Sequence, residues 1–233
     1  MKKRAFGKDL PGLIQQTWLL LKKDALVELR SKESIPLMIV FCIVSLVIFN
    51  FTFDLRTSNV TLLAPGILWV SFIFSGLLGL GRSFTRETER ETLAGIRLAP
   101  VDPAAIYLSK MLACFFSVTI LQLLLTFLMV VFFDVNLAKP FVAVALPLGS
   151  LGFAAIGTPF AAMTMNTRAR EALLPVLLLP VLLPLVLAVV SSTALAMDNV
   201  EWNEISLWIH FLIGYDVLFL TISFLGFQII VEE

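Results

Sequence analysis

Six apolar runs, each long enough to cross a bilayer, dominate this chain and leave little room for anything else. They cover residues 35–53, 62–81, 111–133, 141–163, 172–193 and 207–231. A helix needs about 20 apolar residues to cross about 30 Å of hydrocarbon, so each run predicts one transmembrane helix. With 233 residues in all, no separate soluble domain fits beside six spans. Hydrophobic residues are 59% of the chain and mean hydropathy is +0.96, far above a soluble domain. Formal net charge is zero, so nothing points to a nucleic-acid partner. The fold class is an all-α integral membrane protein, with residues 1–34 as an N-terminal segment and residues 35–233 as one six-span domain.

The N-terminal segment does not read as a signal peptide. Lys2, Lys3 and Arg4 imitate its basic start, but Lys8, Asp9 and Pro11 stand where an apolar core should begin. Farther on, Ile14, Trp18, Leu21, Ala25 and Leu29 recur at steps of three and four and share one helical face. Lys22, Lys23, Arg30 and Lys32 can reach water and lipid headgroups. This predicts an amphipathic helix lying in the membrane interface; the other reading is an extension of the first span's helix. All lysines and arginines except Arg56 and Lys139 fall before Ile35, between Arg82 and Lys110, or at Arg168 and Arg170. That asymmetry places both termini in the cytosol.

One polar stretch is unusually dense. Arg82, Arg86, Glu87, Glu89, Arg90 and Glu91 crowd together between the second and third runs, with charges that cancel. Nothing breaks a helix there before Gly95, and Leu93 and Ile96 give it an apolar edge. Residues 82–103 therefore read either as a short cytosolic helix shaped to dock on another protein or as a solvated loop. The stretch ends in Asp102-Pro103, an N-cap residue followed by proline at the first helical position. The helix it opens is too long for one crossing, which puts Tyr107 and Lys110 in the interface.

Within the spans, Ser71, Ser75 and Gly79 form one small-residue stripe, and Ser150, Ala154, Thr158 and Ala162 form another. Such stripes let helices approach closely. The fourth span, with Pro147, Pro159 and several glycines, reads as a buried helix. Pro175, Pro180 and Pro184 free backbone carbonyls in the fifth, as a hinge, a pathway lining or a packing device. Asp216 is the one carboxylate clearly inside a run, a functional group by default or else a hydrogen-bonded structural one. His210, the single histidine, is a candidate ligand to heme iron or a packing residue.

Enzyme chemistry is missing. No P-loop exists to cradle ATP, and Cys42 and Cys114 read as small apolar residues rather than a disulfide or metal pair. No Cys-x-x-Cys-His is present for covalent heme, and no catalytic residue or metal site is expected. A membrane core beside a docking segment describes the membrane half of a two-part machine.

The stretch TRETERETLAGIRLAP, residues 85–100, resembles the coupling loop of ABC-2-type permeases, where such a loop sits on the ATPase. Further blocks narrow the resemblance to the CcmB family of heme exporter B subunits in cytochrome c maturation. They are LLKKDALVELRSKE from Leu20, LLAPGILWV from Leu62, LGSLGFAAIGTPFAAMT from Leu148 and RAREALLPVLLLPVLLPLVL from Arg168. Gly81-Arg82 departs from the acidic or Glu-Arg pair expected at that place. The resemblance implies a type V exporter-like fold in a bacterial inner membrane, with Arg86, Glu87, Glu89, Arg90, Glu91, Leu93 and Ile96 coupling to a separate ABC ATPase (CcmA-like). It also implies two permease copies, a heme-handling membrane subunit (CcmC-like), a small helper (CcmD-like) and a periplasmic heme chaperone (CcmE-like). ATP would act only through the partner, and heme would be cargo. A general ABC-2 exporter of lipid, glycan or drug shares the physical features, and a scaffold subunit of a heme-delivery complex is the remaining alternative.

Overall fold

Asp102 shows how this sequence sets its helix boundaries. Its carboxylate accepts the backbone N–H of Ala104 at 2.9 Å, and Pro103 follows where a missing N–H does no harm. At the far end of that helix, Asp134 adopts a left-handed conformation (φ 50°), and its N–H closes on the Val130 carbonyl. The computed structural model describes residues 12–31, 33–52, 60–89, 101–165, 167, 169–198 and 200–232. Among them, every regular element is an α-helix: α1 (Leu13–Ser31), α2 (Ser34–Thr52), α3 (Val60–Glu89), α4 (Pro103–Phe133), α5 (Pro140–Thr164), α6 (Arg170–Met197) and α7 (Trp202–Glu232).

Helices α2 to α7 each contain a segment long and apolar enough to cross a membrane, which makes this a multi-pass membrane protein. The sixth begins earlier than the hydropathy suggests, at Trp202, where the Trp202 and Phe141 rings stack at 5.1 Å. The second does not stop at Gly81. Arg, Thr and Glu follow with no proline, and α3 continues unbroken to Glu89.

α5 is the central helix, packed against α6, α7 and α4. Its glycines let large side chains reach its backbone: a Cβ at Gly149 would fall on the Trp69 ring, and one at Gly157 would lie 2.7 Å from Leu80. Trp69, Phe72 and Phe153 follow one another edge to face, with ring centroids 5.4 and 5.6 Å apart. The buried Trp69 Nε1–H donates to Thr193 Oγ1 at 3.0 Å, which joins α3 to α6.

Candidate functional site at the basic end of the bundle

The charged stretch starts on the last turns of α3, at the end of the bundle where α1 and the starts of α2 and α4 meet. Arg86, Glu87 and Glu89 belong to the last turns of α3, whereas Arg90, Glu91, Leu93 and Ile96 lie outside the described residues. What brackets the stretch is well defined. On its α3 side, Arg82 Nη2 meets Glu33 Oε2, at the start of α2, at 3.3 Å. On its α4 side, the Asp102 backbone N–H donates to Gln16 Oε1 of α1 at 3.0 Å.

Between these anchors runs α1, packed along α4. Thr17, Leu21 and Asp24 turn towards the bundle, while Ile14 and Trp18, at the edge of the same face, are exposed. Lys110 does not reach the interface as its position suggested. It is 6% exposed, covered by α1, and its Nζ lies 3.2 Å from Asp24 Oδ2. A buried ammonium needs such a counter-charge. The N-terminal helix thus touches the α4 boundary of the charged stretch and the first turns of α4, while the α3 boundary is held by Glu33 ahead of α2.

Tyr107 departs from the interfacial expectation in the same way. It is fully buried, and its hydroxyl donates to the Ala155 carbonyl of α5 at 3.1 Å. Pro159, four residues on, lacks the N–H that would occupy this carbonyl. The sequence held the signal in the Ala155–Pro159 spacing, but the donor lies 48 residues away. Another tyrosine joins α7 to α6, where the Tyr215 hydroxyl donates to Val181 O at 2.8 Å, in the turn before Pro184. α6 runs as one helix through Pro175, Pro180 and Pro184. Pro180 and Pro184 lie on its exposed side, and Leu178, Leu182 and Leu185 on its buried side.

Both small-residue stripes lie on buried faces: Ser71, Ser75 and Gly79 on α3, and Ser150, Ala154, Thr158 and Ala162 on α5. Ser71 shares a 2.9 Å hydrogen bond with Ser45 of α2, and Met38 of α2 lies against Gly79. Asp216 is 3% exposed, and among the described residues neither carboxylate oxygen has a hydrogen-bond partner. Its Oδ1 lies 2.6 Å from where a Cβ would stand on Gly152. His210 is exposed, and its Nδ1 donates to the Ser206 carbonyl at 2.6 Å, which leaves Nε2 as the ring's acceptor nitrogen. Among the described residues no cluster of three His, Cys, Asp or Glu side chains could hold a metal ion.

Two comparisons bear on this arrangement. The family model described as "CcmB protein" matches residues 15–232. The chain is 27% identical over 168 residues to heme exporter protein B of Rhodobacter capsulatus, covering 71% of this chain and 76% of the relative. It is 25% identical over 173 residues to heme exporter protein B of Escherichia coli K12, covering 73% and 78%.

Proposed function

The chain belongs to the CcmB family, and from that premise we propose that it is the membrane permease subunit of an ABC transporter that exports heme. The single observation that carries this reading is the extent of the family match, which includes the charged stretch after α3. The basic residues favour a cytosolic location for that stretch and for both termini, in a bacterial inner membrane. ATP is hydrolysed on a separate ATPase subunit that docks there. Arg86, Glu87, Glu89, Arg90 and Glu91 make the polar contacts, with Leu93 and Ile96 as apolar anchors. Closure of an ATPase pair, acting on two permease copies, tilts α3 and α4 as packed units. The links Gln16–Asp102 and Asp24–Lys110, which tie α1 to α4, and Glu33–Arg82, which ties the start of α2 to α3, support this reading.

The work done by that tilt is the export of heme, or the release of a heme-loaded periplasmic chaperone from a complex with a heme-handling membrane subunit and a small helper. Heme is cargo, and His210 Nε2 is one exposed nitrogen that could meet its iron. Reversing Glu87 and Glu91 together to lysine tests the docking. The variant should insert in the membrane at normal levels and lose the co-purifying ATPase; undiminished co-purification would remove the docking role from these residues.

A further inference from the structure

His210 stands on a face of α7 that the other helices leave uncovered. It lies about 12 Å along the helix from Trp202, at the rise of about 1.5 Å per residue, and so below the level at which a tryptophan marks the membrane surface. An ionisable side chain at that depth is rare and functional by default. Its ring is already oriented. Nδ1–H donates to the Ser206 carbonyl at 2.6 Å, so Nε2 carries the lone pair and has no donor among the described residues. A backbone carbonyl on the far nitrogen is what fixes the tautomer of a metal-binding imidazole.

The surroundings select the metal. A bare ion needs several protein ligands, and among the described residues no three His, Cys, Asp or Glu side chains come together. An iron that already carries the nitrogens of a porphyrin needs only an axial ligand from the protein. The same face of α7 suits such a ring, because Leu207, Gly214 and Val217 all stand within about 60° of His210 around the helix. Leu207 and Val217 are 67% and 60% exposed, and nothing lies within 4 Å of a Cβ at Gly214. Helical side chains lean towards the N-terminus, so a side chain at 214 would lie against the imidazole; glycine leaves that side of the ring open. Glu201 and Glu204, which would repel the carboxylates of heme, stand about 180° and 120° around the helix from His210. Asn203, about two turns nearer the outer end and on the histidine's own face, offers a neutral amide there.

We propose that this face of α7 holds heme from the bilayer side. His210 Nε2 is an axial ligand to the iron, the porphyrin lies over Gly214, Leu207 and Val217, and its carboxylates point outwards past Asn203. The identity of the cargo rests on the heme reading above. What the site adds is a location: heme is held on the lipid-facing surface of the chain rather than in a passage between its helices. The opposite face of the iron then stays open to a ligand from a receiving protein.

The test uses the full-length chain in phosphatidylcholine nanodiscs, titrated with hemin against empty nanodiscs and followed by the Soret band. About one hemin per chain with a shifted Soret band is expected. His210→Ala should abolish the shift and weaken binding about tenfold or more. Gly214→Leu leaves the histidine in place and should weaken binding about tenfold. Both positions are exposed, so helical content and unfolding temperature should match the wild type. Metal-free protoporphyrin, alike in shape, should bind at least about tenfold more weakly than hemin. A Soret shift retained in His210→Ala, unchanged binding in Gly214→Leu, or equal binding of the metal-free ring would each overturn the assignment. The readout is binding, so it separates from transport. Hemin held at His210 in a chain whose deletion leaves cytochromes intact would keep the site and remove the export reading; the reverse pair of results would do the opposite.

Discussion

Tyr107 completes the helix that contains Ala155. Its hydroxyl, from α4, fills the acceptor that Pro159 leaves vacant in the middle of α5. A proline kink in a membrane helix needs some such replacement, because no water is there to supply it. It also makes the first turns of α4 part of the core rather than part of the lipid interface.

Removing that hydroxyl should be costly only while Pro159 is present. Tyr107→Phe is expected to destabilise the protein by about 1–2 kcal/mol, the penalty of an unsatisfied buried carbonyl. In a Pro159→Ala background the restored N–H occupies Ala155 O, and the same substitution should have a clearly smaller effect. A double-mutant cycle of thermal unfolding in detergent measures the difference. Equal effects in both backgrounds would dissociate Tyr107 from the proline.

Gly149 and Gly66 should respond oppositely to alanine. A Cβ at Gly149 displaces the Trp69 ring and with it the hydrogen bond to Thr193, so a loss of about 1–3 kcal/mol is expected. Nothing lies within 4 Å of a Cβ at Gly66, where alanine should be neutral or mildly stabilising. Comparing the unfolding temperatures of the two variants checks this.

Lys110 and Asp24 should be worse apart than both absent. Lys110→Met alone removes one of the two ammonium groups beside Asp24, leaving Lys23 at 2.8 Å, and should cost about 2 kcal/mol. Adding Asp24→Asn should recover much of that stability. No recovery would show that the pair is not coupled in this way.

Asp216 sits in the middle of α7 with no hydrogen-bond partner among the described residues, so its carboxyl contributes little to holding the fold. Asp216→Asn keeps the shape against Gly152 and should preserve expression and unfolding temperature. If the carboxyl serves transport, heme delivery should fall about tenfold or more, a change of about 1.4 kcal/mol. Full delivery by this variant would leave Asp216 a structural residue.

Much of this architecture was legible in the chain itself. Six apolar runs fixed the number of spans, Asp102-Pro103 marked the start of α4, and the glycines of residues 149–157 marked α5 as the buried helix. These are local signals, written within a few residues. Tyr107 and Lys110 were read as interfacial because hydropathy reports depth along a helix and says nothing of what covers it. Their partners, Ala155 and Asp24, come from other helices. The continuation of α3 to Glu89 was hidden by Gly81, which breaks a helix only when the neighbouring sequence lets it. Asp216 was visible as an intramembrane carboxylate, but not its lack of any partner, since packing decides that.

In the function proposed here, this chain couples ATP hydrolysis on a partner subunit to heme export. The most direct measurement is heme staining of c-type cytochromes in membranes of cells deleted for the gene, with the heme-loaded chaperone followed on the same blot. Loss of stained cytochromes, restored by the wild-type chain and not by the Glu87→Lys, Glu91→Lys double variant, is the expected result. Unchanged cytochrome staining in the deleted cells would contradict the account and leave an exporter of some other cargo.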